Sequence, residues 1–185
     1  YEDKAVEAFY FSTSCGHTTD GSVWGSEGAK LPYLQAVEMR ERRKTQDLTD
    51  NAAFDAFIRN PDVPSYDSSF PMYRWETDVS SDLLSGKIGG VGTVQNLTVT
   101  KRGPGGIAQE LLVEGSGGTT TIKTQGSIRS TLGDPGLSIA KKDGSVMEGS
   151  DLLPSAFISI EKRSADDGTI SFHIYGGGFG HGVGM

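Results

Sequence analysis

Two imidazoles and a cluster of hydroxyls are the side chains here whose types and spacing suit chemistry. His181 stands in the run Tyr175-Gly176-Gly177-Gly178-Phe179-Gly180-His181-Gly182-Val183-Gly184-Met185, with Gly180 and Gly182 on either side. Glycine lets a backbone take positive φ and come close to another chain or a ligand. Phe179, Val183 and Met185 give the run something to bury, so the sequence predicts a tightly folded loop with His181 at its apex. A glycine-rich turn carrying a solvated histidine accounts for the same composition. The second cluster is Ser12-Thr13-Ser14-Cys15-Gly16-His17, at the end of a predicted strand, where binding groups are commonly placed. Its alternative is an ordinary turn whose hydroxyls bond the local backbone. Cys15 and His17 supply at most two metal ligands where a structural zinc site takes four, and although His173 and His181 could complete a set, the expectation is no metal and no cofactor.

The elements that must position these groups read as mainly β. Ala5 to Ser12 is aromatic and β-branched and predicts a buried strand leading into the hydroxyl cluster. Gly21 to Lys30 is a loop around Trp24, and Pro32 to Met39 a short element of uncertain type. Asp50 or Asn51 caps a helix over Ala52 to Arg59, with Phe54, Phe57 and Ile58 at i, i+3 and i+4 and Pro61 as its stop. Ser80 to Lys87 predicts another short helix, with Leu83 and Leu84 on the core. Thr93 to Lys101, Ile107 to Glu114 and Thr119 to Thr124 form an antiparallel meander joined by glycine-rich turns. Ser127 to Leu132 reads as a turn or two of helix. Ala156 to Glu161 and Thr169 to Tyr175 make a final hairpin. On its last strand His173 alternates with Phe172 and Ile174 and is expected to face solvent. The fold class is α+β, mainly β: antiparallel strands with Gly-rich turns and a helical insertion around residues 40–87. Both clusters follow strands, so they share a site only if those strands pair or lie within one strand of each other.

Composition narrows the function classes. A chain of 185 residues makes one domain, here with an insertion at about 40–71. A net charge of −7 argues against nucleic acid, whose phosphates need a basic surface, and against docking on an anionic membrane. The basic patch Arg40, Arg42, Arg43 and Lys44 is interleaved with Glu38, Glu41 and Asp47 and reads as a solvated segment. No run approaches the roughly 18 apolar residues of a membrane span, and one cysteine makes no internal disulfide.

Three blocks carry a family resemblance. Gly178-Phe179-Gly180-His181-Gly182-Val183-Gly184-Met185 resembles the G-[WF]-G-H-G-V-G-M signature of the stage II sporulation protein D family, peptidoglycan-cleaving proteins of spore formers and their amidase-enhancer relatives. Ala8 to Thr18 resembles that family's A-x-Y-x-S-T-S-G-G-x-T block, and Pro32 to Val37 its P-Y-L-x-x-V. Gly126 to Gly133 is similar to a G-x-x-R-x-x-L-G segment, and Arg129 within it is a weaker site candidate, more structural in character. The resemblance implies an extracytoplasmic lytic transglycosylase. Such an enzyme cleaves peptide-stripped glycan strands between N-acetylmuramic acid and N-acetylglucosamine and leaves a 1,6-anhydro end, in sporulation or cell-wall remodelling. One carboxylic acid must protonate the leaving oxygen and then accept the proton of the attacking hydroxyl. The family carries that glutamate in a helix ahead of the Ser-Thr-Ser block, a motif that none of Glu2, Glu7, Glu27 or Glu38 matches. The catalytic acid is therefore expected upstream of Tyr1, and the chain alone is expected to be inactive. Ser12, Ser14, His17, Gly180, His181 and Gly182 are the expected glycan-binding residues. The glycines would admit a sugar ring, and the expected partners are glycan strands and a cell-wall amidase. A non-catalytic glycan-binding or amidase-activating module is the alternative.

Overall fold

A computed structural model describes residues 5–41 and 46–184. Its architecture is α+β, mainly β, with every strand pairing antiparallel. In chain order the elements are α1 (Ser26–Ala29), α2 (Asn51–Arg59), β1 (Trp75–Ser80), α3 (Ser81–Lys87), β2 (Val94–Arg102), β3 (Ala108–Gly115), β4 (Gly118–Lys123), α4 (Gln125–Leu132), β5 (Ser138–Lys141), β6 (Val146–Glu148), β7 (Ile158–Ser164) and β8 (Ile170–Gly176). Five strands form one sheet in the order β6-β5-β1-β8-β7, and β2-β3-β4 form the predicted meander.

Helix α2 starts where its sequence says it should. The Asp50 carboxylate accepts from the Ala53 N–H at 2.8 Å, filling one of the orphan donors of the first turn. Its apolar stripe of Phe54, Phe57 and Ile58 is buried against Cys15, Leu48, Ile107, Ala156 and Phe157, so a helix from the predicted insertion builds a second core. Ser80 caps α3 in the same way, and Leu84 of that helix joins the main core with Val79, Leu111, Ile128, Phe172 and Ile174.

The central strand β1 is one the sequence reading passed over. Trp75, Thr77 and Val79 point inward and Glu76, Asp78 and Ser80 outward, the period-2 alternation of a half-buried strand. It is only six residues long and half polar, which hid it among loop signals. Strands β5 and β6, shorter still, were hidden likewise. Conversely, the predicted strand from Ala5 to Ser12 does not form. Residues 5–11 take no regular structure, and Tyr10 is 83% exposed. Aromatic and β-branched composition favours a pleated surface only where a neighbouring strand supplies the ladder, and the first bridge among the described residues comes only after this segment, at Thr13 with Phe179.

His173 is corrected too. It leaves the core face as the alternation required, but it is not solvated: only 6% of it is exposed. Its register partner on β1 is Asp78. The Asp78 carboxylate lies 2.9 Å from Nδ1 and that of Glu76 3.2 Å from Nε2, while the Tyr175 ring packs against it edge-on at 4.5 Å. Those carboxylates belong to the overlooked strand. Of the basic patch, only Arg40 lies within the described residues, where it pairs with Glu38.

Candidate functional site

The Gly-rich run leaves the end of β8 and is stitched down on both sides. Gly177 N–H donates to Phe157 O at 3.1 Å, Gly178 N–H to Met72 O at 2.8 Å and Gly180 N–H to Pro154 O at 2.9 Å. The Trp75 indole N–H reaches Gly178 O at 3.0 Å, and Ser155 Oγ donates to Gly177 O at 2.7 Å. Two bridges then join it to the Ser-Thr-Ser block, one antiparallel between Thr13 and Phe179 and one parallel between Thr19 and Val183. The two ends of the chain thus meet, through isolated bridges rather than the paired strands expected.

His181 sits where they meet. Its Nδ1 accepts from the Val183 N–H at 3.0 Å. Burial pulls its pKa below 6.5, the nearby main chain of Tyr10 partly offsets this, and the charge of Arg129 adds to the lowering. The ring is therefore neutral at neutral pH, with Nδ1 as acceptor. It lies edge-on to Trp24 at 5.2 Å and to Phe11 at 6.0 Å, and Trp24 packs on Phe9 at 4.4 Å. Beside this cluster Ala8, Phe9, Tyr10, Phe11 and Gly184 line a groove of about 210 Å³. A second groove, of about 240 Å³, runs from Phe179 past Arg129, Leu152 and Pro154.

The expected glycan-binding residues divide by exposure. Ser12 is exposed, and its N–H donates to Phe179 O at 2.9 Å. Ser14 is buried, with Oγ accepting from Gly16 N–H at 3.2 Å, the local serine turn that was the alternative reading. His17 is buried too, edge-on to Phe57 at 5.2 Å and 3.8 Å from Glu38. Burial holds its pKa below 6.5, against the upward pull of Glu38, and Arg40 and Arg74 lower it further. A direct sugar contact by Ser14 or His17 is not what this burial allows. Gly180 and Gly182 are lined up differently from expectation as well. The space a Cβ would take is filled by Phe11 at Gly180 and by Phe157 at Gly182, so the protein itself, not a sugar, makes the close approach. Of the apolar residues expected to bury the loop, Val183 does, Phe179 stays exposed, and Met185 lies outside the described residues. Arg129 Nε donates to Leu153 O at 2.8 Å and is structural.

Cys15 is fully buried, its thiol pushed up to about 11 by the loss of water, with Sγ–H directed at His17 O. Such a thiol is neither a nucleophile nor a ready metal ligand. Among the described residues no group of three or more His, Cys, Asp or Glu is arranged to hold a metal ion.

Sequence reasoning missed the aromatic face. Tyr10 is almost wholly exposed, Trp24 is 37% exposed, and Phe9 and Phe11 are half-buried. The signal was present in Phe9-Tyr10-Phe11, but it was assigned to the inside of a strand. These rings form an apolar face in contact with solvent.

A family model described as "Domain of unknown function (DUF8618)" matches residues 19–184. No curated protein and no solved structure matches the chain.

Proposed function

The chain belongs to the DUF8618 family, and we propose that it forms the glycan-holding part of an extracytoplasmic peptidoglycan lytic transglycosylase. The observation that carries this reading is the junction of the two blocks at His181, where the imidazole lies edge-on to Trp24 and Phe11. Pyranose rings have apolar C–H faces that stack on aromatic rings, while their hydroxyls and N-acetyl groups need nearby donors and acceptors. Tyr10, Trp24 and Phe11 supply the stacking face, and the exposed Ser12 hydroxyl lies next to it. The His181 hydrogen bond goes to this chain's own backbone at Val183, and its ring lies against Trp24 and Phe11, so His181 is a positioning residue for the loop and the rings beside it. The proton-transferring glutamate comes from outside these residues, in the helix that the sequence resemblance places ahead of the Ser-Thr-Ser block.

A non-catalytic glycan-binding or amidase-activating module is the second reading, and the same aromatic face favours it, because stacking holds a glycan without cleaving it. Co-sedimentation with peptide-stripped glycan strands tests the face shared by both readings. The expected result is saturable binding, weakened about tenfold or more in Tyr10→Ala and Trp24→Ala, since an aromatic contact contributes roughly 1 kcal/mol or more beyond the area it buries. No binding would overturn both readings. Mass spectrometry then separates them. The transglycosylase reading expects 1,6-anhydro ends from the protein carrying its upstream helix and none from the 185-residue chain, and binding by both without such ends leaves the module reading standing.

A further inference from the structure

We infer that the protein carries a second binding site, for an anionic group of the carboxylate or phosphate type, in the pocket between α2, β1, β5 and the end of β8. This pocket of about 280 Å³ is lined by Arg59, Arg74, Lys141 and Lys142 and by one carboxylate, Glu76. Four cations converging on a cavity stand out in a chain whose net charge is −7. They are not equivalent. Arg59 is neutralised by Asp55 and Glu161, each at 2.7 Å, and its guanidinium lies flat over the Tyr175 ring at 3.9 Å. It forms a wall.

Arg74 is the cation that calls for a ligand. It is only 7% exposed. Its guanidinium donates to the main-chain carbonyls of Asn60 (3.2 Å), Cys15 (2.9 Å), Tyr73 (2.8 Å) and Phe57 (3.2 Å). Carbonyl oxygens satisfy N–H groups but carry no net charge. Among the described residues no carboxylate lies within 4 Å of Arg74, so a nearly buried charge is hydrogen-bonded and still unneutralised, an arrangement that proteins normally complete with a counter-charge. Lys142 extends the field. Its ammonium is anchored by Pro61 O and Ser68 O, each at 2.8 Å, and faces the Tyr73 ring at 5.3 Å, the same ring on which Arg74 rests at 4.1 Å. Lys141 enters from β5, opposite Trp75 in register, and among the described residues it too has no carboxylate within 4 Å.

Guanidinium and ammonium groups around one cavity recognise carboxylate and phosphate oxygens by charge-assisted hydrogen bonds. The volume suits one such group with a few attached atoms rather than an extended polymer. The site also adjoins the His181 loop in sequence, because Gly176 lines it and Trp75, another lining residue, holds Gly178 O.

Calorimetric titration of the chain with inorganic phosphate, and separately with sodium acetate, at an ionic strength fixed by sodium chloride, tests it. Saturable one-to-one binding of either probe is expected. It should weaken about tenfold in Lys141→Gln and Lys142→Gln, the loss of one charged hydrogen bond, and stay unchanged in Lys162→Gln on the exposed part of β7. Binding of phosphate alone assigns a phosphate ligand, and binding of acetate alone a carboxylate one. Lys141 has no structural bond to lose, so Lys141→Gln decides the matter if Lys142→Gln fails to fold by circular dichroism. The proposal is overturned if neither probe binds, or if Lys162→Gln weakens binding as much as Lys141→Gln does.

Discussion

Gly182→Ala separates a glycine kept for a ligand from one kept for the fold. Gly182 has φ of +73°, and a Cβ added there would lie 2.3 Å from Phe157 Cε2 and 2.9 Å from its Cζ. Phe157 is 1% exposed and packs with Phe54, Phe57 and Cys15, so the ring has nowhere to retreat without opening the second core. The left-handed conformation costs alanine about 1 kcal/mol, and forcing a methyl into a packed core costs roughly 1–3 kcal/mol more. A total of about 3 kcal/mol corresponds to a melting temperature lower by roughly 6–12 °C for a domain of this size. Differential scanning calorimetry reads it directly. Gly86→Ala is the control: it lies in α3, nothing stands within 4 Å of its added Cβ, and it should stabilise by about 0.5–1 kcal/mol because glycine weakens a helix interior. If Gly182→Ala melted within about 2 °C of the unaltered chain yet lost glycan binding, the packing argument would be refuted and the glycine would belong to the ligand.

Two further expectations follow from titrating groups. The neutral His17 contributes stability that is fully present above its unperturbed pKa of 6.5 and is lost as pH falls through the depressed folded value, since the unfolded chain takes the proton first. The urea midpoint should therefore drop between about pH 7.5 and about pH 5.5, and drop less in His17→Gln; His181 shares the sign and keeps part of the effect. An equal drop in the variant would remove His17 as the source. Cys15, buried and pushed up to about 11, should resist a thiol reagent in the native chain at mildly alkaline pH and react once in denaturant. Rapid native modification would contradict its burial.

Local signals in the sequence determined much of the frame. The cap and stripe of α2, the Ser80 start of α3, the meander and the β7–β8 hairpin each rest on neighbours a few residues apart, where propensity, capping and turn chemistry act. Other features were decided only by what the chain packs against. Ala5 to Ser12 has strand composition but gains no ladder, so Phe9, Tyr10 and Phe11 became a surface. The short β1 became the centre of a sheet because β5 and β8 flank it, and its carboxylates enclosed His173. The glycines around His181 were visible as a run, but whether a ligand or the chain's own rings filled the space they leave depended on Phe11 and Phe157. Both lie far away in sequence, and the missing Cβ atoms are matched to them only once the core is assembled. For the same reason the cationic pocket had no sequence signature. Arg59, Arg74 and the Lys141–Lys142 pair come from three separate places along the chain, and only the tertiary fold brings their charges around one cavity.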